Sequence, residues 1–254
     1  MPEPRDEFYT GYLPTAPEGI ARRVRQVVIL LFVLTGVVAL VLLAGQGGFS
    51  AGIYEFGVER AFTGVVREEP YPMLAMQRPG QSAEEPTSQI YLVAPGKFDA
   101  SDDVAGLDGQ EVELKGSLLY RDDQTMVEVV PGSVKPAGAG TVASEEQSLG
   151  TQTLIGRIVD SKCYLGIMKP GSTKPHRACA TLCIAGGIPP LFLVSDAQGP
   201  AAQLLLVGPD GGSVNQEVLP YVDEPLEITG EVLRLDDLWL LKADPASYRR
   251  LSGS

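Results

Sequence analysis

Residues 112–135 read VELKGSLLYRDDQTMVEVVPGSVK, and residues 226–249 read LEITGEVLRLDDLWLLKADPASYR. The two segments align without a gap. Glu113 falls on Glu227, Gly116 on Gly230, Leu119 on Leu233, and Pro131 on Pro245. Asp122-Asp123 falls on Asp236-Asp237. Each segment reads as a strand, an Asp-Asp turn and a second strand, which is a β-hairpin. A glycine inside a strand marks a bend or a bulge, as barrel strands require.

The match extends upstream. Phe62-Thr63-Gly64-Val65 parallels Leu154-Ile155-Gly156-Arg157, and residues 90–93 (IYLV) parallel residues 191–194 (LFLV). A short helix is expected at residues 214–221, just before the second hairpin. Three strands, a short helix and two strands is the order of an OB-fold barrel; an SH3-like barrel is the alternative. The expected class is therefore all-β: two small OB-like barrels in tandem, at residues 58–135 and 151–249. Residues 136–150 (PAGAGTVASEEQSLG) are small and polar, as a flexible linker should be.

Ahead of the barrels, residues 27–44 (VVILLFVLTGVVALVLLA) carry no charge, and Thr35 is their only polar side chain. With its flanks this run reaches the roughly 20 residues that cross a bilayer as a helix. Arg22, Arg23 and Arg25 precede it, and no basic residue follows until Arg60. The positive-inside rule then predicts a cytoplasmic tail at residues 1–25 and a single transmembrane helix at residues 26–46. The rest of the chain is expected outside the cytoplasm, on the periplasmic side of the inner (cytoplasmic) membrane. A cleaved signal peptide is the alternative. The long apolar run, the long polar leader and the poor cleavage site at Ala44-Gly45-Gln46 weigh against it.

The composition narrows the function. With 44% hydrophobic and 20% charged residues, the 254-residue chain can build a folded core. Its net charge is −12, and from residue 46 onward it holds 16 of the 20 basic but 28 of the 32 acidic residues. Such a surface repels phosphate backbones, so no nucleic-acid partner is expected despite the OB-like order. Three cysteines are too few for a disulfide-dense scaffold, and an odd number leaves one unpaired.

Chemistry concentrates in residues 160–190, DSKCYLGIMKPGSTKPHRACATLCIAGGIPP. All three cysteines (Cys163, Cys179, Cys183) and the only histidine, His176, lie here, spaced C-x12-H-x2-C-x3-C. His176, Cys179 and Cys183 fall at i, i+3 and i+7, one face of a helix that Pro175 could begin and Gly186-Gly187 could end. Cys163 would close a fourth corner. Three thiolates and an imidazole form a tetrahedral zinc set, so Cys163, His176, Cys179 and Cys183 are the candidate metal ligands. Haem ligated by His176 or a cysteine is the other cofactor candidate, and Met168 offers a soft ligand for copper. Arg157, Lys162, Lys169, Lys174 and Arg177 surround the cysteines, a setting that favours thiolate. A disulfide from Cys163 to Cys179 or Cys183 competes with the metal, as an extracytoplasmic location permits. Thiol–disulfide catalysis remains open as well, without a C-x-x-C pair to support it.

The loop pattern D-S-x-C … C-x-x-x-C-(I/V)-x-x-G, carried by Asp160, Ser161, Cys163, Cys179, Cys183 and Gly186, resembles a group of small exported bacterial OB-like barrel proteins of uncharacterised function. The likeness covers the second barrel only and implies no activity. The plan of anchor plus OB barrel is also similar to that of the haem chaperone of cytochrome c maturation, although His176 stands outside that family's motif. A serine–histidine–acid set would have to use His176, and the Asp-Asp pairs are turn residues. The expectation is a non-enzymatic, membrane-anchored binding or assembly module, accessory to a membrane redox complex. Its partners would be other membrane or periplasmic proteins, and the cysteine loop its functional locus.

Overall fold

The computed structural model describes residues 16–46, 52–77, 87–141, 145–196 and 199–251. The chain divides into two compact units, residues 1–50 and residues 51–254. In the first, the described residues form one helix, α1 (Glu18–Gln46), of 29 residues, about 44 Å at 1.5 Å per residue. It is long and apolar enough to cross a membrane, and its apolar side chains are exposed, Phe32 at 80%. The helix begins eight residues before the expected position 26, because nothing from Glu18 to Arg25 breaks a helix. Of the expected tail, residues 1–15 lie outside the described residues.

The second unit holds two closed five-stranded barrels. The first comprises β1 (Ile53–Tyr54), β2 (Arg60–Arg67), β3 (Met73–Met76), β4 (Ser88–Val93), α2 (Ser101–Val104), β5 (Gln110–Arg121), β6 (Gln124–Val129) and β7 (Lys135–Ala139). Strands β2, β3 and β4 form an antiparallel meander. β5 pairs with β2 and, through a two-residue turn, with β6. A parallel β4–β6 pairing closes the barrel, while β1 and β7 add to β5.

The second barrel repeats this plan with β8 (Glu146–Asp160), α3 (Arg177–Ala185), β9 (Pro190–Asp196), β10 (Gly199–Val207), α4 (Asn215–Val218), β11 (Leu226–Leu235), β12 (Leu238–Lys242) and β13 (Arg249–Arg250). β8, β9 and β10 form the meander, β11 pairs with β8 and β12, and β10–β12 is the parallel closure. This is OB connectivity twice over. The expected helix at 214–221 is α4 followed by a 3₁₀ turn, Leu219–Tyr221.

The hairpin repeat holds residue by residue. Asp122 and Asp236 take the same left-handed conformation, φ 54° and 55°, at the first turn position. A Cβ on Gly116 would lie 2.6 Å from the Glu128 carbonyl oxygen, and one on Gly230 would lie 2.6 Å from that of Lys242. Glu128 and Lys242 are themselves equivalent in the alignment, so each glycine admits the same close strand contact.

One upstream match is corrected. Tyr91 pairs with Met126 and Leu205 with Leu240, and positions 126 and 240 are equivalent. Residues 90–93 therefore correspond to residues 204–207 of β10, not to residues 191–194 of β9. All three runs are continuously apolar because their strands are buried on both faces. Ile90 and Leu92 enter the interior of the first barrel and Leu204 and Leu206 that of the second. Tyr91, Val93, Leu205 and Val207 face a third core lying between the barrels. The proposed linker is also mostly strand: residues 135–139 pair with β5, and residues 146–150 open the long β8. The small side chains of 136–139 let the chain lie flat along the β5 edge instead of leaving it free.

The equivalence of the two glycines generates a prediction. Gly116→Ala and Gly230→Ala should each destabilise the protein by about 1–3 kcal/mol, the usual cost of overpacking. Urea unfolding of the full chain in detergent, followed by the single Trp239, checks both against wild type.

Candidate functional site

The cysteine loop is an insertion between the first two strands of the second barrel. The first barrel crosses the same gap in a few residues, from Arg67 to Met73; the second uses residues 161–189. β8 ends in Asp160, fully buried, whose Oδ1 accepts the Cys163 N–H at 2.8 Å. That bond turns the chain into a wide π-type turn, Cys163–Ile167, held by the Met168 N–H donating to the Cys163 carbonyl at 3.1 Å. His176 caps α3. Ala180, Cys183 and Ile184 form the buried face of this helix, and Ala180 and Ile184 enter the core of the second barrel. The helix stops at Gly186, as its glycine pair predicts. The first barrel packs against this end: a Cβ on Gly186 would meet the Lys97 carbonyl oxygen at 1.9 Å, so no larger residue fits there.

The three thiols converge. Their sulfurs lie within 4.8 Å of one another, and Cys163 Sγ is 4.0 Å from Cys179 Sγ. Two thiolates on one zinc ion, at Zn–S of about 2.3 Å, stand roughly 3.8–4.0 Å apart. A disulfide needs about 2.05 Å. All three cysteines are free thiols, so the expected disulfide is not what the structure holds.

His176 joins a different group. Together with Asp160 and Cys163 it forms a second set whose ligand atoms lie within 4.8 Å of one another. Helical spacing put His176 on one face with Cys179 and Cys183. At the cap, before the first full turn, it instead sits 3% exposed with Nε2 3.6 Å from Asp160 Oδ2.

Two of the basic residues singled out from sequence, Lys162 and Arg177, have other partners. Lys162, 3% exposed, donates to the carbonyls of Ala94 (2.7 Å) and Gly96 (2.9 Å) and pairs with Glu128 at 2.5 Å. Arg177 pairs with Glu224. The cation at the thiols is Lys97 of the first barrel, with Nζ 2.8 Å from Cys179 Sγ and 3.5 Å from Cys183 Sγ. Nothing in the sequence connected Lys97 to the loop.

The electrostatics follow from this packing. The Cys179 sulfur holds the Lys97 ammonium above its usual range. A hydrogen bond to Cys183, burial and the Asp160 carboxylate push the Cys163 thiol up. The same hydrogen bond, helped by Lys97, pulls the Cys183 thiol down. Burial raises Asp160 and lowers His176, each move opposed in part by the charge of the other. Burial also pushes Asp223 up to about 6, although its Oδ1 accepts the Thr173 N–H at 2.8 Å.

No known protein family, no curated protein and no solved structure matches the chain. The chemistry of the site is read from its geometry.

Asp223 makes a pH prediction. Its folded value lies above that of an unfolded carboxylate, so the folded state binds this proton more tightly. Its contribution to stability is complete below the unfolded value and is lost as pH rises through about 6. The change Asp223→Asn would keep the Thr173 contact, and an asparagine side chain tolerates the left-handed backbone at this position, φ 57°. Between pH 4.5 and pH 7.5, in chelator, Asp223→Asn should therefore lose less thermal stability than wild type. Parallel slopes for the two proteins would overturn this assignment.

Proposed function

We propose that this protein is a membrane-anchored, extracytoplasmic metal-binding module whose loop holds a soft or borderline cation, zinc or copper(I), on Cys163, Cys179 and Cys183. The observation that carries the reading is the convergence of three free thiols at metal-ligand spacing. Arg22, Arg23 and Arg25, in the first turns of α1 ahead of its apolar run, support a cytoplasmic N-terminus with both barrels outside. A site of this kind on a tethered head suits service to a membrane redox complex, with membrane or periplasmic proteins as donors or acceptors of the ion. An ion suits the site better than haem: the His176 ring is enclosed on all sides and offers no open face to a macrocycle.

A thiol–disulfide role is the second reading. It is favoured by the 4.0 Å between Cys163 and Cys179 and by the ammonium that Lys97 places on Cys179.

Full-length protein, purified in detergent, reduced, stripped of metal and then loaded with zinc, should retain the ion through desalting, and Cys179→Ser and Cys183→Ser should each lower its affinity at least 100-fold. Retention of no ion, with ready formation of a Cys163–Cys179 disulfide under a mild oxidant, would favour the second reading.

The anchor has its own test. A reporter that is active only outside the cytoplasm, fused after Ser254, should be active, and the mature protein should keep the residues before α1. Activity of a cytoplasm-only reporter at that position reverses the orientation.

A further inference from the structure

We propose that the loop holds a second divalent cation, bound by Asp160, His176 and a Cys163 thiolate that bridges it to the ion on Cys163, Cys179 and Cys183. The proposal rests on the three-thiol site and extends it to a dinuclear centre.

Four observations carry it. The first is topological: the two candidate ligand groups share one residue, Cys163, and no other. Thiolate sulfur has lone pairs enough to bind two metal ions at once.

The second is the state of the polar atoms. Asp160 Oδ2 and both ring nitrogens of His176 are buried and have no hydrogen-bond partner. Leaving such a group unsatisfied is costly, and more so when it is charged. Their mutual distance of 3.6 Å is too long for a hydrogen bond. It suits two ligands of one zinc ion, where bonds of about 2.0–2.2 Å place N and O roughly 3.4–3.7 Å apart. Asp160 Oδ1, by contrast, is occupied by the Cys163 N–H. That bond fixes the carboxylate and leaves Oδ2 to ligate, as outer hydrogen bonds do in metal sites.

The third is charge. Three thiolates and one carboxylate carry four negative charges, which two divalent ions neutralise. One ion on the thiols alone leaves Asp160 and His176 in the interior to compensate only each other, across 3.6 Å.

The fourth is access. Cysteine, histidine and aspartate together could also make a nucleophile with its base. Cys163, however, is only 4% exposed. A thiol so enclosed is out of a substrate's reach and serves poorly as a nucleophile, whereas a metal ion can deprotonate it outright. The mixed sulfur, nitrogen and oxygen set of the second position suits zinc better than copper(I), which favours sulfur.

The test uses the full chain in detergent, stripped of metal and loaded with isotopically enriched cadmium-113 as a zinc surrogate. Two cadmium resonances are expected, one in the sulfur-rich range and one shifted toward nitrogen and oxygen ligation, split by coupling through the shared thiolate. Zinc analysis of wild type should give two ions per chain. His176→Asn and Asp160→Asn should each retain one, with near-ultraviolet circular dichroism showing that the variants stay folded. A single resonance, or one zinc per chain in both wild type and His176→Asn, overturns the second ion and leaves the three-thiol site standing. Two uncoupled resonances overturn the bridge. Absence of any retained ion removes the three-thiol reading as well.

Discussion

Everything in the head depends on the buried ammonium of Lys162. It leaves the cysteine loop of the second barrel and ends among groups of the first: the Ala94 and Gly96 carbonyls and the Glu128 carboxylate. A lysine 3% exposed is tolerable only because each of those partners is in place. Removing one side of such a pair costs about 3–5 kcal/mol, since the other charge stays buried. The carbonyls it grips lie just before Lys97, so the same contact that seats the loop also holds the Lys97 segment over the thiols. Arg121 of the first barrel reinforces the seat, donating to the Tyr164 carbonyl at 2.7 Å with its guanidinium 4.0 Å from that ring.

This clamp works on an apolar base. The barrels are not beads on a string but share a core, with Tyr71, Tyr91 and Met126 from one side and Cys163, Leu165 and Leu205 from the other. Tyr71 crosses it with its hydroxyl, donating to Leu206 O at 3.0 Å and accepting the Val214 N–H at 3.1 Å. Such a seam explains why β4 and β10 lack polar alternation: each strand has one face in its own barrel and one in the seam. The cysteine cluster therefore lies where solvent is excluded from nearly every direction, and Cys179, the partly exposed member, stands where Lys97 enters.

How much of this was legible in the sequence follows from the range of each interaction. The hairpins could be read because turn chemistry and strand glycines are local, and duplication made them visible twice. The anchor could be read because hydrophobicity over a membrane's width leaves little ambiguity. The 90–93 run was matched to the wrong strand because a strand buried on both faces carries no alternation to mark its place in the barrel. The cysteine loop was located by composition alone, and its thiols do meet. The place of His176 was misjudged because helical periodicity says nothing of a residue at the cap, where the ring can turn back toward the end of β8. Asp160 stood out only as the first residue of the loop pattern; its contact with His176 emerges when strand and cap are brought together in space. Lys97 left no trace, because 82 residues and a barrel boundary separate it from Cys179.

That last contact also gives the first barrel a purpose. It carries no cysteine and no counterpart of the loop, and stability alone would not require a second copy of the fold. Yet it supplies the cation that faces the thiols and the carbonyls and carboxylate that hold Lys162. In a chain of net charge −12, clustered thiolates need a positive group close at hand. On the proposed metal-binding reading, the ammonium 2.8 Å from sulfur serves until the ion takes over most of that charge. Lysine suits this part because its charge sits at the end of a flexible stem, so it can withdraw without disturbing the backbone that carries it. The two barrels are then complementary halves of one cluster: the second provides the thiols, and the first provides the ammonium that faces them and part of the wall that keeps them from solvent.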